Sequence, residues 1–282
     1  MLNGKRKACH FHGTRLYFAE GWEEKLREID LIQSRRWDRL EPGKCVNQSR
    51  RTNTYRVTLK NGERVFFKRY LYFDRPFKFF LKPSETAVEV FSYKMMATIG
   101  ISTAEPVAVG EMRWCGALCS CCIVTREIPQ TISLIEYALN EWPQLPVARR
   151  RRALTFITAA ICRDFKKMHA RNFFHIDTKW RNILIHRDEN NKSEIHGLWW
   201  IDSPRGNIFA GRRHDYGMIY DLTNLSRDAL SFLSRSQRLR FLKAYCGPEI
   251  GRQEIRRIVQ KINQRLKRRP ARIYRQSAVI NS

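Results

Sequence analysis

The stretch FHIDTKWRNILI, Phe174 to Ile185, sets a His, an Asp two positions later and an Asn five positions after that between two apolar patches. Polar groups among apolar runs are costly to bury unless they find partners. They therefore mark either a satisfied turn or a site, and the flanking chain decides which. Upstream, residues 147–171 carry Leu154, Ile157, Ile161, Phe165 and Met168 at helical spacing. Downstream, short strands at 183–186 and 197–201 bracket the polar turn RDENNKSE, and the apolar run GLWWID ends on Asp202. The stretch is thus a loop between a long helix and a pair of strands.

Farther out, TYRVTLKNGERVFFKR (54–69) places two alternating runs around Asn61-Gly62, a hairpin signal. Residues 84–99 predict a helix capped by Ser84 and ended by Gly100. Residues 105–127 return to strands, with a hairpin around Gly116. Residues 16–40 read as helical, punctuated by Leu16, Trp22, Leu26, Ile29 and Trp37, and the chain after 212 reads as helical to its end. There is no internal repeat. The expected class is α+β, with a small β-rich lobe (1–124, including an N-terminal extension) and a larger α-rich lobe (125–282) ending in a basic helix.

With 282 residues, 43% of them hydrophobic and 12% aromatic, the chain can fill a sizeable core. Its 53 Lys and Arg against 27 Asp and Glu give a formal charge of +26, a field that concentrates polyanions. No run approaches the roughly 18 apolar residues of a spanning helix. The basic N-terminus lacks the apolar segment of a secretory signal, so a cytoplasmic protein is expected. Eight cysteines fit no CxxC…CxxC framework. The dense group Cys115, Cys119, Cys121 and Cys122 reads as small apolar residues of strands, with a metal site as the alternative.

The chemistry lies in the spacing His175-x-Asp177-x-x-x-x-Asn182, that of a kinase catalytic loop. An acceptor hydroxyl needs a carboxylate to orient it and take its proton. A cation among phosphates needs a neutral oxygen ligand. Lys179, two residues after Asp177, reaches toward the transferring phosphate. An Asp and an Asn at this spacing are weak alone. In order along the chain, however, Lys68 sits late in the hairpin, Glu89 on the following helix and Asp202 after an apolar strand. IVTREI has the look of a connector between lobes. Each has a plain alternative: Lys68 as an edge charge, Glu89 as a solvated helix residue, Asp202 as a turn residue. Five such elements in order make coincidence a poor account.

KNGERVFFKRY, AVEVFSYKMMATIGISTAEPVA, IVTREIPQTISLIEY, MHARNFFHIDTKWRNILI, WWIDSPRGN and RRHDYGMIYDLTNL together resemble the Kdo/WaaP family of lipopolysaccharide core kinases, over roughly residues 45–230. The resemblance implies a kinase-like two-lobe fold and transfer of phosphate from ATP to heptose or Kdo of the inner core. It places the work at the cytoplasmic face of the inner membrane, with Mg²⁺ (or Mn²⁺) as cofactor. By the same resemblance Lys68 would be the nucleotide lysine, Glu89 its partner, Asp177 catalytic, Asn182 and Asp202 the metal ligands, and Asp221 a support of the loop. The chain departs from the kinase pattern in several places. NQSRRTNTYRV has no G-x-G-x-x-G, so Ser49, Arg50 and Arg51 are candidates for the phosphate contacts. Ile176 replaces the Arg of H-R-D, Asp202 is followed by Ser-Pro, and no A-P-E follows within the 19 positions to Asp221. These departures favour a small or glycolipid acceptor over a protein.

Two other classes stay open: a kinase-like enzyme with another small-molecule or protein acceptor (atypical Ser/Thr or aminoglycoside-type), and a basic nucleic-acid-binding protein. The second rests on charge alone, and no nucleic-acid partner is expected. The expected partners are a lipopolysaccharide core precursor and an anionic membrane surface. In the tail Glu254–Gln276, Ile255, Ile258, Ile262 and Leu266 recur beneath a basic face, to contact lipid or to pack on the larger lobe. YLYFDRPFKFFLKPS mixes aromatics with Lys and Arg, either to touch lipid or to close the small lobe.

Overall fold

The computed structural model describes residues 10–33, 37–72, 78–187 and 194–268. Two compact units emerge. One comprises Met1–Thr98, Thr103–Ile128 and Ser203–Gly206; the other comprises Ile99–Ser102, Pro129–Asp202 and Asn207–Ser282. The division follows Ile128 rather than residue 124, because Thr125 and Arg126 still pair with the neighbouring strand through Phe66 and Val65.

The first unit is built on a six-stranded antiparallel sheet. Its elements are β1 (Gly13–Phe18), a single turn α1 (Trp22–Lys25), β2 (Lys44–Gln48), β3 (Thr52–Thr58), β4 (Arg64–Tyr70), α2 (Glu85–Thr98), β5 (Pro106–Trp114) and β6 (Ala117–Arg126), with sheet order β1-β5-β6-β4-β3-β2. Strict alternation in β3 and β4 turns Tyr55, Val57, Val65 and Phe67 inward. The β3–β4 turn differs from the two-residue Asn-Gly form. Thr58 lies opposite Arg64 and the Leu59 N–H donates to the Glu63 carbonyl at 2.8 Å, so residues 60–62 close the loop; Gly62 alone takes a positive φ of 82°, and its N–H donates to the Leu59 carbonyl at 2.8 Å. That is a three-residue turn with a glycine bulge. At the β5–β6 turn, Cys115 (φ 45°) and Gly116 (φ 82°) are both left-handed, the two-residue form. Ser84 caps α2 by accepting from the Ala87 N–H at 3.2 Å, and Gly100 (φ 69°) follows its end.

Residues 16–40 are not one helix. Leu16 lies in β1, α1 is a single turn, and 3-10 turns cover Arg27–Ile29 and Trp37–Arg39. Left-handed Gly21 (φ 73°) and Asp30 (φ 59°) bound this segment, and tertiary burial replaces helical continuity. Trp22, Leu26, Ile29 and Trp37 pack in one core with Tyr55, Val57, Val107 and Cys122. Gly110 makes this possible, since a Cβ there would lie 2.6 Å from the Trp37 ring. Cys121 and Cys122 are buried, with burial pushing the Cys121 thiol up to about 12; they behave as small apolar residues. Among the described residues no His, Cys, Asp and Glu cluster suits a metal.

The second unit contains β7 (Thr131–Ser133), the short α3 (Leu134–Glu136), α4 (Val147–Ala170), β8 (Phe173–Phe174), β9 (Ile183–Arg187), β10 (Ile195–Trp200), β11 (Asn207–Ile208), α5 (His214–Phe232), α6 (Arg235–Cys246) and α7 (Arg252–Arg268). The strands form β10-β9-β7 and β11-β8 pairings. α4 buries Ile157, Ile161, Phe165 and Met168 at the spacing its sequence predicts, and its buried Asp164 accepts from the Trp200 indole at 2.9 Å. The hydrophobic stripe of α7 turns inward: Ile258 and Ile262 are buried, and the helix packs on α5. Arg265 lies over the Tyr220 ring at 4.5 Å. Ile258 and Ile262 therefore face the interior of this unit rather than a bilayer surface, and each aliphatic side chain gains ~1.5–3 kcal/mol on burial in the protein. Tail residues 269–276 lie outside the described residues, as do 73–77 of the aromatic linker. No described helix is long and apolar enough to cross a membrane.

Candidate active site

In the first unit Lys68 projects from β4 and meets Glu89 of α2, Nζ to Oε2 at 3.1 Å. Glu89 is 2% exposed and would be an uncompensated buried charge without partners. It has three: the lysine, the Tyr70 hydroxyl donating to Oε2 at 2.7 Å, and the Tyr93 hydroxyl donating to Oε1 at 2.7 Å. The lysine Nζ also lies 4.9 Å from the Tyr70 ring centroid. Sequence reasoning missed both tyrosines, although the signal was present. Tyr70 is two residues after Lys68 and so shares its face of a strand; Tyr93 is four after Glu89 and so shares its face of a helix. Ser49, Arg50 and Arg51 form the exposed β2–β3 turn. The Ser49 hydroxyl closes that turn, accepting from the Thr52 N–H at 3.0 Å and sharing a 2.9 Å hydrogen bond with the Thr52 hydroxyl.

In the second unit the loop after β8 gathers the rest. Lys179 donates to Asp177 Oδ2 at 2.8 Å, and Asn182 Nδ2 donates to the same oxygen at 3.1 Å and to the Asp177 carbonyl at 2.8 Å. Asn182 Nδ2 also lies 3.4 Å from the Asp202 carbonyl, which brings together the two predicted metal ligands. Burial lowers the Lys179 pKa against the opposing pull of Asp177.

The loop is held from beneath by α5. Asp221, fully buried, accepts the backbone N–H of His175 at 3.0 Å and of Ile176 at 2.7 Å, and lies 3.2 Å from His169 Nε2; its own carbonyl accepts from the Thr178 hydroxyl at 2.7 Å. Asn224 donates to the Ile176 carbonyl at 2.8 Å, and Asp228 accepts from the Trp180 N–H at 2.8 Å. Asn224 and Asp228 are one and two turns after Asp221 on the same helix face, a period that pointed to them once Asp221 was placed. These bonds impose a left-handed conformation on Ile176 (φ 64°), a β-branched residue for which it is strained by roughly 1–3 kcal/mol. Asp202 is likewise left-handed at φ 59°. Ser203, directly after it, belongs to the first unit, where its carbonyl accepts from Ser92 of α2 at 3.0 Å. Gly206 in the same turn tolerates no side chain, since a Cβ would sit 2.1 Å from Ser92 Oγ.

The donor set fits a hard cation. A carboxylate and an amide oxygen are the ligand types that Mg²⁺ takes alongside phosphate and water. Asn182 donates through its nitrogen to Asp177, so its amide oxygen is not spent on that contact.

A model of the lipopolysaccharide kinase (Kdo/WaaP) family matches residues 50–245. No curated protein sequence matches. Among solved structures, WaaP in complex with acyl carrier protein is similar at a TM-score of 0.62 and 22% identity, over 90% of this chain and 98% of that one. The Rio2 kinase–ADP/Mg²⁺–phosphoaspartate complex from Chaetomium thermophilum reaches 0.45 at 14% identity, over 80% of this chain and 71% of that one. The BubR1 kinase domain reaches 0.46 at 12%, over 80% and 79%. The fold is kinase-like, an antiparallel sheet unit with a helical unit.

Proposed function

Because the chain belongs to the lipopolysaccharide kinase (Kdo/WaaP) family, and is on that ground an ATP-dependent kinase, we propose that it phosphorylates a hydroxyl of an inner-core sugar, heptose or Kdo. We place this reaction on the cytoplasmic face of the inner membrane, with the chain bound peripherally to an anionic surface. The observation that carries the chemistry is the Asp177 cluster: a carboxylate fixed by Lys179 and Asn182 on a loop pinned by buried Asp221. In the step proposed, the acceptor oxygen attacks the γ-phosphorus as its proton passes to Asp177. The bond to the bridging oxygen breaks, and ADP departs with the electron pair. Lys68, oriented by Glu89, Tyr70 and Tyr93, would hold the α- and β-phosphates; Lys179 would answer charge on the transferring group. Asn182 and Asp202 would hold Mg²⁺, or Mn²⁺, which neutralises phosphate charge. Arg50 and Arg51 remain candidates for phosphate contacts. Mass spectrometry of lipopolysaccharide core from cells with and without the chain tests the reading. Loss of one phosphate from an inner-core sugar is expected, and an unchanged core overturns it.

A second reading concerns a partner. The similar WaaP structure was solved with acyl carrier protein. In this chain a cavity of about 590 Å³ in the helical unit is walled by Leu154, Ile161, Leu225, Leu242 and Val259, with Arg235, Arg238 and Arg256 also lining it. Apolar walls with arginines suit an acyl chain delivered by an acidic carrier. An acylated carrier protein should raise Tm, and the unacylated form should not; equal shifts would remove the cavity from the interaction.

A further inference from the structure

One end of the sheet of the first unit displays apolar side chains instead of hiding them. Trp114 is 65% exposed, Phe11 58%, Leu81 54% and Phe80 42%. Single exposed apolar residues are ordinary, but these four are gathered around Gly116. Trp114 ends β5, opposite Ala117 across the β5–β6 turn. The Gly116 N–H donates to the Phe11 carbonyl at 2.6 Å, and the Leu81 N–H donates to the Gly116 carbonyl at 3.2 Å. A Cβ on Gly116 would lie 2.8 Å from the Phe80 ring, so the glycine admits the ring. His12 packs on Trp114 with centroids 4.4 Å apart.

The display is built by a buried arginine. The Arg113 guanidinium donates to the carbonyls of Phe79 at 2.9 Å, Gly116 at 3.0 Å and Lys82 at 2.6 Å, and to Glu111 at 2.5 Å. It thereby ties the 79–82 turn to the β5–β6 turn. Within this arrangement Leu81 is held at φ 48° and Cys115 at φ 45°, both strained for side chains with a Cβ. Folding gains nothing by straining a leucine in order to expose it. Strain held by surrounding bonds is a mark of function.

Charge narrows the occupant. Lys78 and Lys82 are exposed on the segment that carries Phe80 and Leu81, Arg15 is exposed on the neighbouring β1 opposite Glu111, Lys78 lies 4.6 Å from the Phe79 ring centroid, and the chain carries +26 overall. Two adjacent turns at the end of a sheet form a projection with a basic rim. Four partly exposed side chains offer far less than the roughly 1,000 Å² that a stable protein interface buries. Interfacial insertion needs only a few aromatic and aliphatic side chains with cations beside them. We propose that this tip is the membrane-docking surface of the chain, inserting Trp114, Phe80 and Leu81 among the headgroups of an anionic bilayer while Lys78, Lys82 and Arg15 meet lipid phosphates. The proposal locates the peripheral attachment put forward above, and rests on that reading only for the identity of the membrane.

The test is flotation of the full chain with vesicles of phosphatidylcholine and phosphatidylglycerol, and with phosphatidylcholine alone. The variant is F80Q/L81N/W114Q; asparagine tolerates the left-handed backbone at position 81. The wild type should float with the anionic vesicles and far less with the neutral ones. The variant should bind the anionic vesicles at least ten-fold more weakly at unchanged Tm. A wild type that stays out of the anionic float, or a variant that floats equally, overturns the proposal. Phosphoryl transfer to a deacylated, water-soluble core oligosaccharide is measured in parallel. It should be equal in both proteins, and it reads the kinase assignment separately from the docking surface.

Discussion

In the proposed step Asp177 accepts the proton of the acceptor hydroxyl, and an amide cannot. We expect Asp177→Asn to keep Tm and nucleotide binding while lowering kcat by ~10²–10⁴; wild-type turnover in a coupled ADP assay would remove Asp177 from the mechanism. Asp221 never reaches the acceptor in this scheme, yet it fixes the loop backbone. Asp221→Asn replaces one of the two carboxylate oxygens by an NH2 group, so either the His175 or the Ile176 N–H faces a donor in place of an acceptor, and the change should cost roughly 3 kcal/mol or more in urea unfolding. An unchanged midpoint would show that the loop holds itself. Burial lowers the pKa of His175, with Asp221 pulling the other way. The unfolded chain therefore takes up a proton as pH drops below ~6.5 where the folded chain does not. Stability is lost on the acid side of that value and is unaffected above it. His175→Asn, which retains an acceptor for the Asp177 N–H, should flatten the fall in unfolding free energy between pH 7 and pH 5. At this scale the sequence offered Lys68, Glu89, Asp177, Asn182 and Asp202 as the candidates on which the proposal rests, because their types and order are local. It did not single out Tyr70 and Tyr93: spacing puts them on the faces of Lys68 and Glu89, but only the meeting of β4 and α2 joins both to one carboxylate.

The elements show where periodicity suffices and where it does not. α2 and α4 run close to their predicted spans because capping and helical spacing are read within one segment. α7 reads equally well as a lipid-facing or a packed helix, and its neighbour α5 decides. Ile262→Asp should lower stability by roughly 3 kcal/mol or more through a buried unpaired charge, and Ile262→Ala by ~2–5 kcal/mol. Release from vesicles at unchanged Tm would return the stripe to lipid. Gly206 is an element-level contact as well. Gly206→Ala should cost ~1–3 kcal/mol through overpacking on Ser92, and the pair Gly206→Ala/Ser92→Ala should recover part of it by removing the nearest atom. Strict additivity of the two changes in a double-mutant cycle would show that the turn does not rest on α2.

For the whole molecule the +26 charge is the dominant long-range property. Its attraction to an anionic surface decays over a Debye length, ~8 Å at physiological salt. Flotation with anionic vesicles should therefore weaken steeply between 0.05 and 0.5 M salt, leaving a residue set by the apolar tip. Binding indifferent to salt would sink the electrostatic account.

The sequence by itself determined the order of the parts: a hairpin lysine, a helix glutamate, an Asp and Asn spaced for a catalytic loop, and an Asp closing a strand. It also determined the sign of the surface. Those facts depend on residue type and on spacing within a window of one element, which the chain states directly. Only the tertiary structure decided that residues 16–40 surrender helical continuity to pack Trp37 over Gly110, and that α7 buries Ile258 and Ile262. The same holds for Arg113, which ties residue 79 to residue 116. Each depends on partners tens of positions apart. Periodicity says that a face is apolar, but only the closed fold says what covers it.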